Sequence, residues 1–251
     1  MTDPQPWPYP RWIAHRGAGK LAPENTLAAF RVGAGHGFRA FECDVKLSAD
    51  GVPFLLHDTG LERTTRGRGV ASRLSWDALS RLDAGRWHSR AFAGEPVPNL
   101  ESIARFCLEN GHALNIEIKP TPGAEHETGK VTAALAAALW APAVAEGHPW
   151  PLLSSFKPAA LAGAREAAPE LPRALLLDAL RNGWLEEATG LGCVAIVAMY
   201  ALLNAAVLER IRGAGLRALA YTVNDPAEVQ RLTRLGIDGL ITDAVDRFPP
   251  V

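Results

Sequence analysis

Eight short apolar runs recur from residue 12 almost to the end of the chain, and each except the last is followed by a helical pattern. The runs fall at residues 12–14, 41–45, 115–119, 152–156, 174–177, 194–199, 218–223 and 239–242. The helical patterns occupy 25–34, a stretch after Asn99, 131–140, 158–168, 184–189, 204–212 and a stretch after Asp225. Strands linked by helices run parallel, because the crossover needs a dozen or more residues. Eight such units predict a (β/α)8 TIM barrel, with a doubly wound open sheet as the alternative.

Local signals sharpen this reading. Asn25 or Thr26 can cap the first helix, and Asn99 the second. Asp225, Pro226 at the first helical position and Glu228 spell a capping box for the last. Asp50-Gly51 marks a tight turn, and the connection to the apolar run 54–56 is too short for a crossover. That run is expected to return antiparallel to 41–45 and to carry His57 back toward it. Residues 59–98, rich in Arg, Gly, Ser and Trp, break the rhythm. They read as an inserted subdomain or capping loop within one domain spanning 1–251. The first ten residues hold four prolines and predict an extended lead-in.

The alternation of side chains along a strand gives the first functional clue. In Phe41-Glu42-Cys43-Asp44-Val45, Glu42 and Asp44 share one face. In Leu114-Asn115-Ile116-Glu117-Ile118-Lys119, Asn115, Glu117 and Lys119 share one. Two solvated acids on an edge strand are common, but parallel strands are covered on both faces. Buried acids without partners cost several kcal/mol each in order of magnitude. Three of them together suit a hard, oxygen-ligated cation, Mg²⁺ or Ca²⁺, better than Zn²⁺.

Two histidines end apolar strands, in His15-Arg16-Gly17 and His57-Asp58. Singly, each reads as a strand-end residue bonded to backbone. Beside three acids they read as an acid/base pair titrating in the right range. Arg16 and Lys119 are candidate phosphate contacts, as well as ion-pair partners of the acids. Phe156 and Tyr221, at strand ends, are candidate pocket walls. Pro23-Glu24-Asn25-Thr26 reads first as a helix cap and second as a contributor to the site.

Bulk properties exclude other classes. A net charge of −1 without a like-charge run lacks a nucleic-acid footprint. The N-terminus lacks a signal-peptide pattern, and no apolar stretch reads as long enough to span a bilayer. Three widely spaced cysteines, Cys43, Cys107 and Cys193, suit a reducing compartment. The expectation is a cytoplasmic enzyme without nucleic-acid or membrane partners, its oligomeric state open.

The ordered set His15-Arg16-Gly17, Pro23-Glu24-Asn25-Thr26, Glu42-x-Asp44, His57-Asp58, Asn115-x-Glu117-x-Lys119, Ser155-Phe156 and Thr222-Val223-Asn224 resembles the glycerophosphodiester phosphodiesterase family over residues 11–247. The likeness is greatest to its bacterial cytoplasmic form. The resemblance implies a TIM barrel with a small insertion after the second strand. It implies hydrolysis of glycerophosphodiesters, such as glycerophosphocholine, to sn-glycerol 3-phosphate and an alcohol. By matching position, Glu42, Asp44 and Glu117 would bind the metal, His15 and His57 would be acid and base, and Arg16 and Lys119 would hold phosphate. Many members carry Trp at Tyr221, which bears on pocket shape. Many carry Thr-Asp-x-Pro where Thr242-Asp243-Ala244-Val245 stands, a stretch expected not to touch the chemistry. Rival readings are a phospholipase C-like or sphingomyelinase D-like lyase forming a cyclic phosphate, and a non-catalytic glycerol-phosphate binder.

Overall fold

Backbone pairing closes the alternating units into a ring. The structure, a computed structural model, describes residues 7–248 and 250. Eight parallel strands form the ring: β1 (Trp12–Ala14), β2 (Ala40–Leu47), β4 (Ala113–Ile118), β5 (Leu152–Ser155), β6 (Arg173–Leu177), β7 (Ala195–Met199), β8 (Arg217–Tyr221) and β9 (Gly239–Thr242). β1 pairs with both β2 and β9, so the sheet has no open seam. This is the expected TIM barrel, and the closing pairs exclude the open sheet. β3 (Pro53–Leu55) returns antiparallel on β2, Leu55 opposite Val45 and Phe54 opposite Lys46.

Alternation along each strand separates two apolar regions. Phe41, Cys43, Val45, Leu114, Ile116 and Ile118 face outward into the helices and pack with Phe30, Ile103, Cys107 and Trp140. Inward, Ile13, Ala40, Leu152, Leu176, Val197 and Leu219 fill the barrel floor. Trp7 and Tyr9 pack against that floor, and the Tyr9 hydroxyl donates to the Trp150 carbonyl at 2.9 Å. Residues 1–6 of the expected lead-in lie outside the described residues.

The helices begin where polar side chains can accept orphan N–H groups. Thr26 caps α1 (Leu27–Gly35), accepting from Ala29. Asn99 caps α3 (Leu100–Glu109), and Asn204 caps α7 (Ala205–Gly213). Asp225 caps α8 (Pro226–Arg234) through the Ala227 N–H. The capping box is not reciprocal, because the Glu228 carboxylate pairs with Arg231. A nearby guanidinium binds a carboxylate better than a neutral amide N–H does.

α4 (Glu125–Ala145) is twice the length its pattern predicts and runs through Pro142. Its last turn, past the proline, keeps Val144 packed against the core that Leu139 and Trp140 join just before it. Length and composition would let this helix cross a membrane, which corrects the reading that no stretch was long enough. In the fold it packs against α3 and α5 (Pro158–Ala167). That approach is close. A methyl at Gly129 would overlap the Ala160 carbonyl oxygen, and one at Gly163 would overlap that of His126. Gly129→Ala and Gly163→Ala are each expected to cost about 1–3 kcal/mol in urea unfolding. The double variant should cost less than the sum, since one separation of the helices relieves both overlaps.

Between β3 and α3 the chain makes only two 3₁₀ turns (Ala71–Arg73 and Arg90–Phe92) and the four-residue helix α2 (Trp76–Leu79). Leu61, Ala71, Leu79, Ala84 and Val97 form a small apolar cluster there with Phe54 and Leu56.

Candidate active site

The β2–β4 register places the acids. Asp44 lies opposite Glu117 and Glu42 opposite Asn115, all inward. One oxygen each of Glu42, Asp44 and Glu117 falls within 4.8 Å of the others, and all three residues are buried. Burial, then the Asp44 charge, pushes the Glu42 and Glu117 carboxyls upward. Burial also works against the Asp44 anion, but Arg16 and Lys119 outweigh it and hold that carboxyl well below the usual range. Glu42 Oε1, Asp44 Oδ1 and Asn115 Oδ1 are buried with no hydrogen-bond partner. Lys119 Nζ lies 3.4 Å from Asp44 Oδ1, and buried oxygens at this spacing without hydrogen bonds are the donor set of a hard cation. The triad is consistent with a divalent ion.

Asn25 secures Asp44 from the β1–α1 loop. Its Nδ2 donates to Asp44 Oδ2 at 2.8 Å, and its Oδ1 accepts the Asp44 N–H at 3.0 Å. Among the described residues, Arg16 (φ 51°) and Asn25 (φ 58°) are the two non-glycine ones with left-handed backbone. They are tied together by Asn25 N–H to Arg16 O at 3.0 Å. The Arg16 N–H donates to Glu42 Oε2 at 3.0 Å. Backbone strain is thus concentrated where the loop meets the acids.

Each histidine is backed by a carboxylate. His15 Nδ1 lies 2.6 Å from Asp243 Oδ1, and its Nε2 is 3.8 Å from Glu42 Oε2. Asp243 in turn accepts from Asn224 Nδ2 at 3.1 Å. This corrects the expectation that the stretch past the last strand stays away from the chemistry. Ala14 pairs with Thr242 across the closing seam, so the next residues, His15 and Asp243, emerge side by side. His57 Nδ1 lies 2.6 Å from Asp58 Oδ1. A carboxylate acceptor holds a proton on Nδ1 in both rings, so Nε2 is the nitrogen that takes up or gives a proton. Burial lowers the His15 value, yet the Asp243 hydrogen bond and the Glu42 charge raise it overall. His57 is lowered overall, by burial first, although Asp44 and Asp58 oppose this. The Leu56 N–H donates to the Asp44 carbonyl at 3.1 Å, which seats the next residue, His57, beside the acids.

The cations interleave with the acids. Arg16 Nε lies 3.1 Å from Asp44 Oδ2, and its Nη1 donates to Glu24 at 3.0 Å. Lys119 Nζ donates to Glu117 at 2.7 Å and sits 5.6 Å over the Phe156 ring. Lys46, 1% exposed on the same face of β2 as Asp44, donates to the Lys119 carbonyl at 2.8 Å, and burial pushes it down to about 8. Phe156 and Tyr221 meet edge to face at 5.8 Å. With Glu42 and Glu117 they line a hollow of about 20 Å³, room for an ion or a water. A larger cavity of about 290 Å³ adjoins His15, between Asp243, Glu24 and Trp87. Another hollow, about 840 Å³, lies at the opposite mouth beside Trp7, Trp150 and Val194 and contains none of these acids.

Comparison with known proteins fits this geometry. The sequence profile of the glycerophosphoryl diester phosphodiesterase family matches residues 15–247. A glycerophosphodiester phosphodiesterase of Caldanaerobacter subterraneus subsp. tengcongensis is 30% identical over 236 residues, covering 92% of this chain and 93% of its own. A Bacillus subtilis glycerophosphodiester phosphodiesterase is 30% identical, covering 95% and 85%. Among solved structures, an Oleispira antarctica phosphodiesterase in complex with the product sn-glycerol-3-phosphate superposes with a TM-score of 0.84 at 33% identity, covering 94% and 93%. A glycerophosphodiester phosphodiesterase from Agrobacterium tumefaciens gives 0.79 at 28%, covering 96% and 100%. With the profile spanning nearly every strand and these relatives matching end to end, the chain belongs to the glycerophosphoryl diester phosphodiesterase family.

Proposed function

We propose that this protein hydrolyses glycerophosphodiesters, such as glycerophosphocholine and glycerophosphoethanolamine, to sn-glycerol 3-phosphate and the free alcohol. The observation that carries the reading is the convergence of three buried acids with two carboxylate-backed imidazoles at the C-terminal mouth of the barrel. The Oleispira relative with bound product supports the substrate class.

Glu42, Asp44 and Glu117 would hold Mg²⁺ or Ca²⁺, which supplies neutralisation of charge on a phosphate oxygen. Arg16 and Lys119 exchange part of their pairing with Asp44 and Glu117 for the phosphate, Arg16 by its fork and Lys119 as a point charge. His57, lowered and neutral, takes the proton from the attacking hydroxyl at Nε2. His15, raised and protonated, gives one from Nε2 to the departing alcohol. Burial works against the charge of both rings; Asp243 and Glu42 outweigh it at His15, whereas Arg16 and Lys119 add to it at His57. Phe156 and Tyr221 wall the site on the β5 and β8 side. The three cysteines are buried free thiols, which supports a reducing, cytoplasmic setting.

Incubation with glycerophosphocholine, followed by phosphorus NMR, tests the reading. Glycerol 3-phosphate and choline should appear, cease with EDTA and return with Mg²⁺ or Ca²⁺. No turnover with any glycerophosphodiester overturns it, and a persisting cyclic phosphate would mark a lyase.

A further inference from the structure

Arg63, on the inserted segment, bonds two carboxylates at once. Its Nε and Nη2 donate to Asp58 Oδ2 and Oδ1 at 2.6 and 3.1 Å. Its Nη1 and Nη2 donate to Glu24 Oε2 and Oε1, both at 2.7 Å. Each carboxylate serves a different member of the site. Asp58 accepts from His57 Nδ1, and Glu24 accepts from Arg16 Nη1. One rigid, planar fork therefore joins the side chain that ends the β3 hairpin to the one that opens the β1–α1 loop.

The insertion is built to hold that fork still. Leu61 is fully buried in the small apolar cluster. The loop closes on itself through Leu61 N–H to Gly69 O at 3.1 Å, Thr65 N–H to Leu61 O at 3.0 Å and Gly69 N–H to Glu62 Oε1 at 2.7 Å. The insertion also grips the same β1–α1 loop at one further point and the helix that follows it at another. His88 Nε2 lies 3.0 Å from Lys20 O, and Glu95 Oε1 accepts the Ala28 N–H at 2.9 Å in the first turn of α1. That loop carries His15, Arg16, Glu24 and Asn25.

We propose that Arg63 is a positioning residue that sets His57 through Asp58 and Arg16 through Glu24, so that the insertion acts as a strut between the two ends of the site. The inference rests on the roles given above to His57 and Arg16. The physical reason is freedom. The Asp58 side chain is 31% exposed and, without Arg63, can turn to water, which releases the His57 ring. Glu24, without Arg63, is left to Arg16 alone and draws its guanidinium away from Asp44. The Arg63 side chain is itself 44% exposed, so its ion pairs add little to global stability. Geometry, rather than folding, is what its loss removes.

Arg63→Ala is expected to lower kcat on glycerophosphocholine about 10²-fold, the scale of a roughly 1 Å misplacement. The inhibition constant of glycerol 3-phosphate should rise several-fold, with the thermal midpoint unchanged. Arg63→Lys keeps the charge without the fork and should recover little. Guanidinium ion at millimolar concentration should restore part of the Arg63→Ala rate, which a merely structural role would not permit. On an Asp58→Asn background Arg63→Ala should cost no further kcat, and on a Glu24→Gln background no further product affinity. Independently of turnover, the His57 Nδ1–H proton resonance should be present in wild type and lost in Arg63→Ala. Wild-type kcat in Arg63→Ala, additive losses in both double variants, or an unchanged Nδ1–H resonance each overturns the proposal. If wild type itself turns over no diester, the functional reading fails, while the resonance still decides the role of Arg63.

Discussion

Glu42→Gln is expected to stabilise the metal-free protein above neutral pH while sharply lowering turnover. Glu42 is buried against Asp44 and Glu117, and desolvation and the Asp44 charge raise its carboxyl to about 8. A carboxyl raised on folding contributes stability that is fully present below its unfolded value, near 4.5, and is lost as pH rises through the folded one. Glutamine keeps the shape, and its Oε can still accept the Arg16 N–H, but it carries no charge to desolvate. The gain in thermal midpoint should therefore grow from pH 5 to pH 8. Asp44 behaves oppositely. Its lowered carboxyl contributes stability above its ordinary range that is lost on acidification, so Asp44→Asn should destabilise.

The same reasoning fixes the response to Mg²⁺ or Ca²⁺. A cation that relieves the repulsion binds only the folded state, worth about 2.7 kcal/mol at a hundred times its dissociation constant. Its stabilisation of wild type should increase as pH rises toward 8 and should largely vanish in Glu42→Gln. Turnover should fall by more than roughly 10²-fold, beyond the loss typical of an outer partner of a metal ligand. Scanning calorimetry at pH 5 and pH 8, with and without the ion, decides the matter. A variant less stable than wild type at pH 8 without the ion, or one that keeps the full ion-induced shift, would falsify the triad as a cation site.

What the sequence made legible, and what it hid, divides along one physical line. Period-two alternation is local, so the inward faces of β2 and β4, and with them Glu42, Asp44 and Glu117, could be read from ten residues. His15 and His57 were readable because each ends an apolar run. Contacts made by ring closure were not readable in the same way. Asp243 is 228 positions from His15 and becomes its neighbour only because β9 pairs with β1. That signal was available indirectly, since a closed eight-strand barrel must place the ends of its first and last strands side by side. The sequence allows either Asn25 or Thr26 as the cap of the first helix, and Thr26 fills that role. The left-handed backbone of Asn25, which asparagine tolerates, turns its amide toward Asp44 instead. Arg63 lies in a segment without periodicity, where long-range ion pairs leave no pattern to read. α4 outran its expected ends because tertiary packing of small residues overrode weak local signals at Gly129 and Pro142.

Alanine at His15 or at His57 is expected to reduce turnover by roughly 10²–10⁴-fold with the fold intact, the range for losing a general acid or base. The pH profile separates the two roles. A base must be unprotonated, so activity should rise through the His57 value, which lies below 6.5. An acid must be protonated, so activity should fall through the His15 value, which lies above 6.5. The profile is therefore a bell spanning that point. Asp243→Asn leaves an oxygen to accept from His15 Nδ1 but removes the charge that holds the His15 proton and weakens that hydrogen bond. Its effect should be to draw the alkaline limb to lower pH, with a loss larger at pH 8 than at pH 6. Asp58→Asn removes a raising influence from His57 and should draw the acid limb further down while leaving the alkaline limb in place. Substrates with activated leaving groups, such as a p-nitrophenyl ester of glycerol phosphate, need no proton on the departing oxygen. They should restore much of the rate to His15→Ala and none to His57→Ala. The opposite pattern of rescue would exchange the two assignments, and equal rescue of both would remove the acid/base division altogether.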